Sequence, residues 1–220
     1  MLSTGNDIVS LNAINVTCTK QPNFYSKILT PTETALYKQS RFANIPFEVF
    51  VWLLWSIKES AFKFLQRIDA DILFTPVKFV VSDVQIPFGF TLSGFEAIKL
   101  TGIGFNGIPT IRSTVKFGDH ILYSSSLIYQ EFISTVVNGA EDFSRTHWGI
   151  KWIDSDDTEI QSAEVRAFLI DNLKDNISIS IGKNPLGIPV LLKKQSGTYH
   201  SSFVIASRIL HRLFFSTIKY

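Results

Sequence analysis

The chain has 220 residues, 45% hydrophobic and 18% charged, with a net charge of +2. That allows one large domain or two small fused ones around an ample core, and the near-neutral balance without a basic stripe excludes generalised nucleic-acid binding. The single cysteine, Cys18, excludes an internal disulfide framework, fits a reducing compartment and reads as a small buried apolar residue.

Met1 to Asp7 lacks the basic and apolar regions of a secretion signal. The most apolar stretch, Phe50–Ile57, is far shorter than the roughly 20 residues a spanning helix needs. A soluble, cytoplasmic protein with no membrane segment is expected. Residues 7–11 of "GNDIVSL" read as a first strand, with Asp7 inside it. "TPTETALYKQS" reads as a helix start: Thr30 as cap, Pro31 in the first turn, Glu33 three residues after the cap. Pro46 opens a longer helix, about Phe47 to Ile68, with apolar positions at spacings of three, four and seven. From Phe74 to Val137, β-branched and aromatic residues alternate with polar ones, predicting an antiparallel meander with turns near Gly102, Gly107 and Gly118-Asp119. Asn138 to Trp148 is the expected joint. A helix capped by Ser162 is expected to reach about Lys174. "ISISIGKNPLGIPVLL" then reads as two strand-like runs around Asn184–Gly187. The tail, Phe203–Tyr220, is apolar and interrupted by Arg208, His211 and Arg212.

"WSIKESAFK" (Trp55–Lys63) carries the most chemical information. On a helix, Glu59 and Lys63 are four apart and share a face with Ser56, while Lys58 points about 100° away. An exposed i,i+4 ion pair would explain Glu59 and Lys63 alone. Their position directly after an apolar run indicates a helix that starts buried and emerges at a cleft. With Asp7 added, two carboxylates on separate elements and a lysine form a reasonable site for a hard cation and phosphate groups. Mg²⁺ needs only one or two protein carboxylates, and lysine serves as a point charge for phosphate. The acidic run "DSDDTE" (Asp154–Glu159) lacks the glycine and terminal glutamate of an EF-hand loop and reads as a solvated connector. No phosphate-binding "GxxxxGK[ST]" loop is present, which disfavours a generic Mg²⁺-dependent phosphate enzyme.

Four strings in order, "GNDIV", "ILTPTE", "WSIKESAFK" and "GIPVLL" (Gly187–Leu192), resemble the 4′-phosphopantetheinyl transferase superfamily. The order is that of the short holo-acyl-carrier-protein synthases, at nearly twice their length. The resemblance implies an α+β fold of two pseudo-symmetric lobes, each an antiparallel sheet packed with helices. Residues 1–140 would hold the metal and coenzyme A motifs, and 141–220 would complete the sheet and the coenzyme cleft in a monomer. It implies Mg²⁺ held by Asp7 and Glu59, with Lys63 beside the coenzyme A diphosphate and Lys58 facing the coenzyme. Glu59 and Lys63 would be catalytic. Long members carry a third acid where this chain has Val9, so water would fill that place. The family's Ser-x-Ser-His string is absent. His211 is its nearest counterpart, with His200 the rival, for contact to the coenzyme's phosphates. His120 and His147 match no motif. The partner would be an acyl or peptidyl carrier protein, with no nucleic acid or membrane involved. A basic surface from Lys20, Lys27, Lys38 and Arg41 would suit an acidic carrier. The missing histidine string keeps open a catalytically decayed, coenzyme-binding scaffold of the same fold.

Overall fold

A computed structural model describes residues 4–97, 99–105, 107–155, 157–172, 179–183, 189–195, 198–204, 206–210 and 213–219. The chain opens with strand β1 (Gly5–Ser10), then short helices α1 (Val16–Thr19), α2 (Pro22–Tyr25) and α3 (Pro31–Leu36), then the long helix α4 (Phe47–Gln66). Strands β2 (Val80–Gln85), β3 (Lys99–Ile103), β4 (Ile111–Phe117), β5 (His120–Ile128), β6 (Phe132–Asn138) and β7 (Thr146–Trp152) follow. Helix α5 (Thr158–Asn172) precedes β8 (Ile179–Lys183), β9 (Pro189–Gln195), β10 (Thr198–Val204), β11 (Ala206–Leu210) and β12 (Leu213–Lys219). The fold is α+β, with antiparallel sheets packed against helices, as expected.

Local signals place the first helices. Thr30 Oγ1 accepts from the Glu33 amide at 3.2 Å, and Glu33 Oε2 accepts from the Thr30 amide at 2.7 Å. This reciprocal box ties down two amides that the first helical turn leaves without partners. Helix α4 begins directly after Pro46, as the sequence predicts.

One sheet runs β1-β6-β5-β4-β2. Helix α4 crosses one face, setting Leu54, Ile57 and Ala61 against a layer that includes Val9, Val115, Ile133 and Val137. The opposite face buries Ile8, Phe132 and Val136 with Trp148 and Ile150 of β7. Alternation along β1 therefore divides its side chains between two cores, Val9 to the helix side and Ile8 to the other. Each fully buried Leu, Ile or Phe contributes about 1.5–3 kcal/mol.

The structure corrects four expectations. β4, β5 and β6 form the predicted meander with its turn at Gly118-Asp119. β3 leaves that meander and joins the sheet β11-β12-β7-β3. Gly102 stands inside β3, opposite Trp148, and is not a turn. A Cβ there would lie 2.9 Å from the Trp148 ring, so the bare backbone seats the indole. The ring stacks on Phe105 at 5.1 Å and donates to the Gly104 carbonyl at 2.5 Å. Helix α5 begins four residues before Ser162. Asp157 caps it instead, its Oδ1 accepting from the amides of Glu159 (2.7 Å) and Ile160 (3.1 Å). The fourth correction is Cys18, which is exposed on α1.

β8, β9 and β10 form a three-stranded sheet, and β8 and β9 match the two runs expected around Asn184–Gly187, a turn that lies outside the described residues. No helix among the described residues is long and apolar enough to cross a membrane.

Candidate active site

Helix α4 and strand β1 meet where Gly5 has no side chain. A Cβ at Gly5 would fall 1.8 Å from the Ser60 carbonyl oxygen and 2.8 Å from the Phe64 amide nitrogen. Only glycine allows the two backbones to come this close. Two residues further, on the same side of β1, Asp7 meets the polar face of α4. Its carboxylate is fully buried.

Lys63 bridges the two acids. Its Nζ lies 3.0 Å from Asp7 Oδ1 and 3.1 Å from Glu59 Oε1. The Lys63 and Glu59 side chains are 28% and 16% exposed, so the trio opens to solvent through them. Helical spacing brings Glu59 and Lys63 together, and the close approach at Gly5 brings Asp7 to both. Ser56, on the same face, is fully buried, and its hydroxyl has no hydrogen-bond partner among the described residues. Val9 is also buried, in the core beneath α4.

Arg67 extends this row of charge and was not singled out by the sequence reading. It stands one turn past Lys63 and donates from Nη1 to the Thr4 carbonyl at the entry to β1. Burial pulls its guanidinium down to about 10, so it stays charged at neutral pH. Its spacing of four from Lys63 and eight from Glu59 was the available signal.

Lys58 takes a different place from the one expected. It turns into the protein and is fully buried, with Nζ 2.7 Å from Glu33 Oε2 and 2.6 Å from the Ile28 carbonyl. An ammonium desolvated this far needs an opposite charge, and Glu33 supplies one. Burial lowers the Lys58 pKa below its usual 10.5, while the Glu33 carboxylate pulls the other way.

His211 lies outside the described residues. His200 stands on β10, opposite Lys193 in the register. Of "GIPVLL", Pro189 to Leu192 lie on β9.

Among the described residues no group of three His, Cys, Asp or Glu side chains is poised for a metal. Asp7 and Glu59 nevertheless fit a hard cation. They offer oxygen donors only, and both already reach a single cation, the Lys63 ammonium. A pair of carboxylates is what Mg²⁺ takes from protein when phosphate and water complete its shell. A cavity of about 280 Å³ has walls that include Ile8, Val9, Trp52 and Trp55, with Cys18 also on its lining, and none of Asp7, Glu59 and Lys63 lines it. Trp55 is one turn before Glu59, and Ile8 directly follows Asp7.

An antiparallel α+β protein with two carboxylates and a lysine gathered where its first strand meets its longest helix is equipped to hold a cation and a phosphate. Residues 3–88 match the family model of the 4′-phosphopantetheinyl transferase superfamily. That stretch contains Asp7, Glu33, Lys58, Glu59 and Lys63. No curated protein and no solved structure matches the chain.

Proposed function

We propose that this protein transfers 4′-phosphopantetheine from coenzyme A to a serine hydroxyl of an acyl or peptidyl carrier protein, with Mg²⁺, releasing adenosine 3′,5′-bisphosphate. The observation that carries the reading is the Lys63 ammonium held between Asp7 and Glu59, inside the stretch that matches the family. The intact trio favours an active transferase over a decayed scaffold.

In this reading Asp7 and Glu59 would hold the metal, and water would take the place of a third acid because Val9 offers no oxygen. When bound, Mg²⁺ neutralises charge on the diphosphate and at the reacting phosphorus. The serine oxygen attacks the phosphorus that bears the pantetheine arm, and the bond to the bridging diphosphate oxygen breaks. Glu59 accepts the serine proton, directly or through a water. Lys63 offsets the negative charge left on the departing oxygen. Little covalent work falls to the protein, so positioning and charge neutralisation dominate.

Lys20, Lys27, Lys38 and Arg41 are all exposed and suit the acidic surface usual for carriers. The later part of the chain would complete the coenzyme cleft within a monomer, working in the cytoplasm, with His211 or His200 reaching the nucleotide phosphates.

Incubating the protein with coenzyme A, Mg²⁺ and apo carriers of the fatty-acid, polyketide and peptide-synthetase types, then weighing each carrier, tests this. A gain of about 340 daltons on at least one carrier is expected. No gain on any of them contradicts the reading.

A further inference from the structure

Glu33 sits where three parts of the chain converge. Its Oε2 accepts from Lys58 Nζ (2.7 Å), the Thr30 amide (2.7 Å) and the Thr30 hydroxyl (3.0 Å). Its Oε1 accepts from the Val81 amide of β2 at 2.7 Å. Lys58 also donates to the Ile28 carbonyl at 2.6 Å. Both side chains are fully buried. One ion pair thus joins the entry to α3, helix α4 and strand β2.

Its position on α4 gives it a consequence for the site. Successive residues of an α-helix are turned by about 100°. Lys58 and Ser60 therefore flank Glu59 on either side. Lys58 is pinned toward α3 and β2. Ser60 is pinned toward β1 and β6, its carbonyl against Gly5 and its hydroxyl 3.4 Å from the Thr135 carbonyl. Glu59 is left pointing out between two anchored neighbours, toward Lys63 and Asp7.

We propose that Glu33 and Lys58 are a positioning pair: they fix the roll of α4 about its axis, and so the aim of Glu59 and Lys63 at Asp7. The magnitude is sufficient. A carboxylate at about 6 Å from the helix axis moves by about 1 Å when the helix rolls by about 10°. Misplacement of that size costs up to about a hundredfold in rate. The pair touches no reacting atom and acts through Glu59. The proposal rests on the metal role given to Asp7 and Glu59 above.

The test uses the double variant Glu33→Gln/Lys58→Met, which removes both charges and strands neither. Its melting temperature is expected to stay above that of Lys58→Met, because no charge is left unpaired, although a glutamine offers one accepting oxygen where Glu33 offers two. Lys58→Met alone leaves Glu33 charged and unpaired and is expected to melt about 10 °C lower than the parent. In the double variant, Mg²⁺ binding by calorimetry without coenzyme A is expected to weaken about tenfold. kcat should fall by at least about tenfold with KM for the carrier held within about twofold. A double variant that binds Mg²⁺ and turns over like the parent overturns the proposal, leaving the pair a role in stability alone. If the double variant melts too low to assay, Lys58→Arg keeps the charge and changes the reach. Weakened Mg²⁺ binding at an unchanged melting temperature supports the proposal, and unchanged binding overturns it. A parent protein that binds Mg²⁺ yet modifies no carrier contradicts the transferase reading, while the Mg²⁺ titrations still decide the positioning role.

Discussion

The chain from β1 to β2 and the chain from β3 onward bury polar groups in different ways. The first region buries charge: Asp7, Glu33 and Lys58 are all fully enclosed, each with an oppositely charged partner. In the later region, the buried polar residues with described side chains are uncharged, such as Ser124, Ser125, Ser126, Thr135, Asn138 and Thr146. Its aromatic core, with Trp148 stacked on Phe105, backs the far face of β1 through Ile8. Burying a charge is costly without a partner, and each of these three has one within 3.0 Å. The family match covers the first region and stops at residue 88. The difference fits the proposed function, which puts chemistry at the strand–helix junction and support in the sheets behind it.

Substitutions can break or sharpen that division. The largest effect is expected from Asp7→Ala, which removes one of the two carboxylates. Transfer should fall about a thousandfold while the circular dichroism spectrum stays that of a folded protein. Gly5→Ala comes next, because its new Cβ would meet the Ser60 carbonyl at 1.8 Å. A loss of about 3 kcal/mol is expected from urea unfolding, along with most of the transfer activity, since β1 must move off α4. Lys63→Ala should lower kcat by about thirtyfold, and calorimetry should find Mg²⁺ binding tighter by about threefold, because the ammonium between the carboxylates is gone. In the supporting region, Gly102→Ala presses a methyl on the Trp148 ring at 2.9 Å. About 1 kcal/mol of stability should be lost with transfer per folded molecule unchanged. A loss of transfer comparable to that of Asp7→Ala would erase the proposed division.

The smallest expected effect is on pH dependence. Burial lowers the folded-state pKa of Lys58 from 10.5. Between that lowered value and 10.5 the unfolded chain binds more protons than the folded one, so this group makes stability rise with pH across the window. Urea midpoints of the parent and Lys58→Met, compared across that range, should differ in slope, with the parent rising more steeply.

Much of the first region was legible because its signals are local. Thr30, Pro31 and Glu33 announce a capped helix within four residues, and Glu59 and Lys63 share a face by helical spacing alone. Their meeting with Asp7 came from the ordered motifs, since strand–helix contact across fifty positions has no local mark. The inward turn of Lys58 could not be read from helical phase. The partner that draws it in, Glu33, sits on another helix and had already been assigned to a cap. Gly102 looked like a turn because glycine punctuates loops. Its actual reason is an indole contributed by β7, more than forty positions away. Ser162 was the expected cap, and Asp157, assigned to the connector, takes that role because its carboxylate stands at the first turn. Cys18 reads as buried by residue type, but it falls on a one-turn helix at the surface.

The most direct test of the central claim is coenzyme A binding measured by calorimetry with and without Mg²⁺, for the parent and for Asp7→Asn. The account predicts binding that depends on Mg²⁺ in the parent and a loss of that dependence in the variant. Equal binding with and without the metal, or a variant that matches the parent, would contradict it.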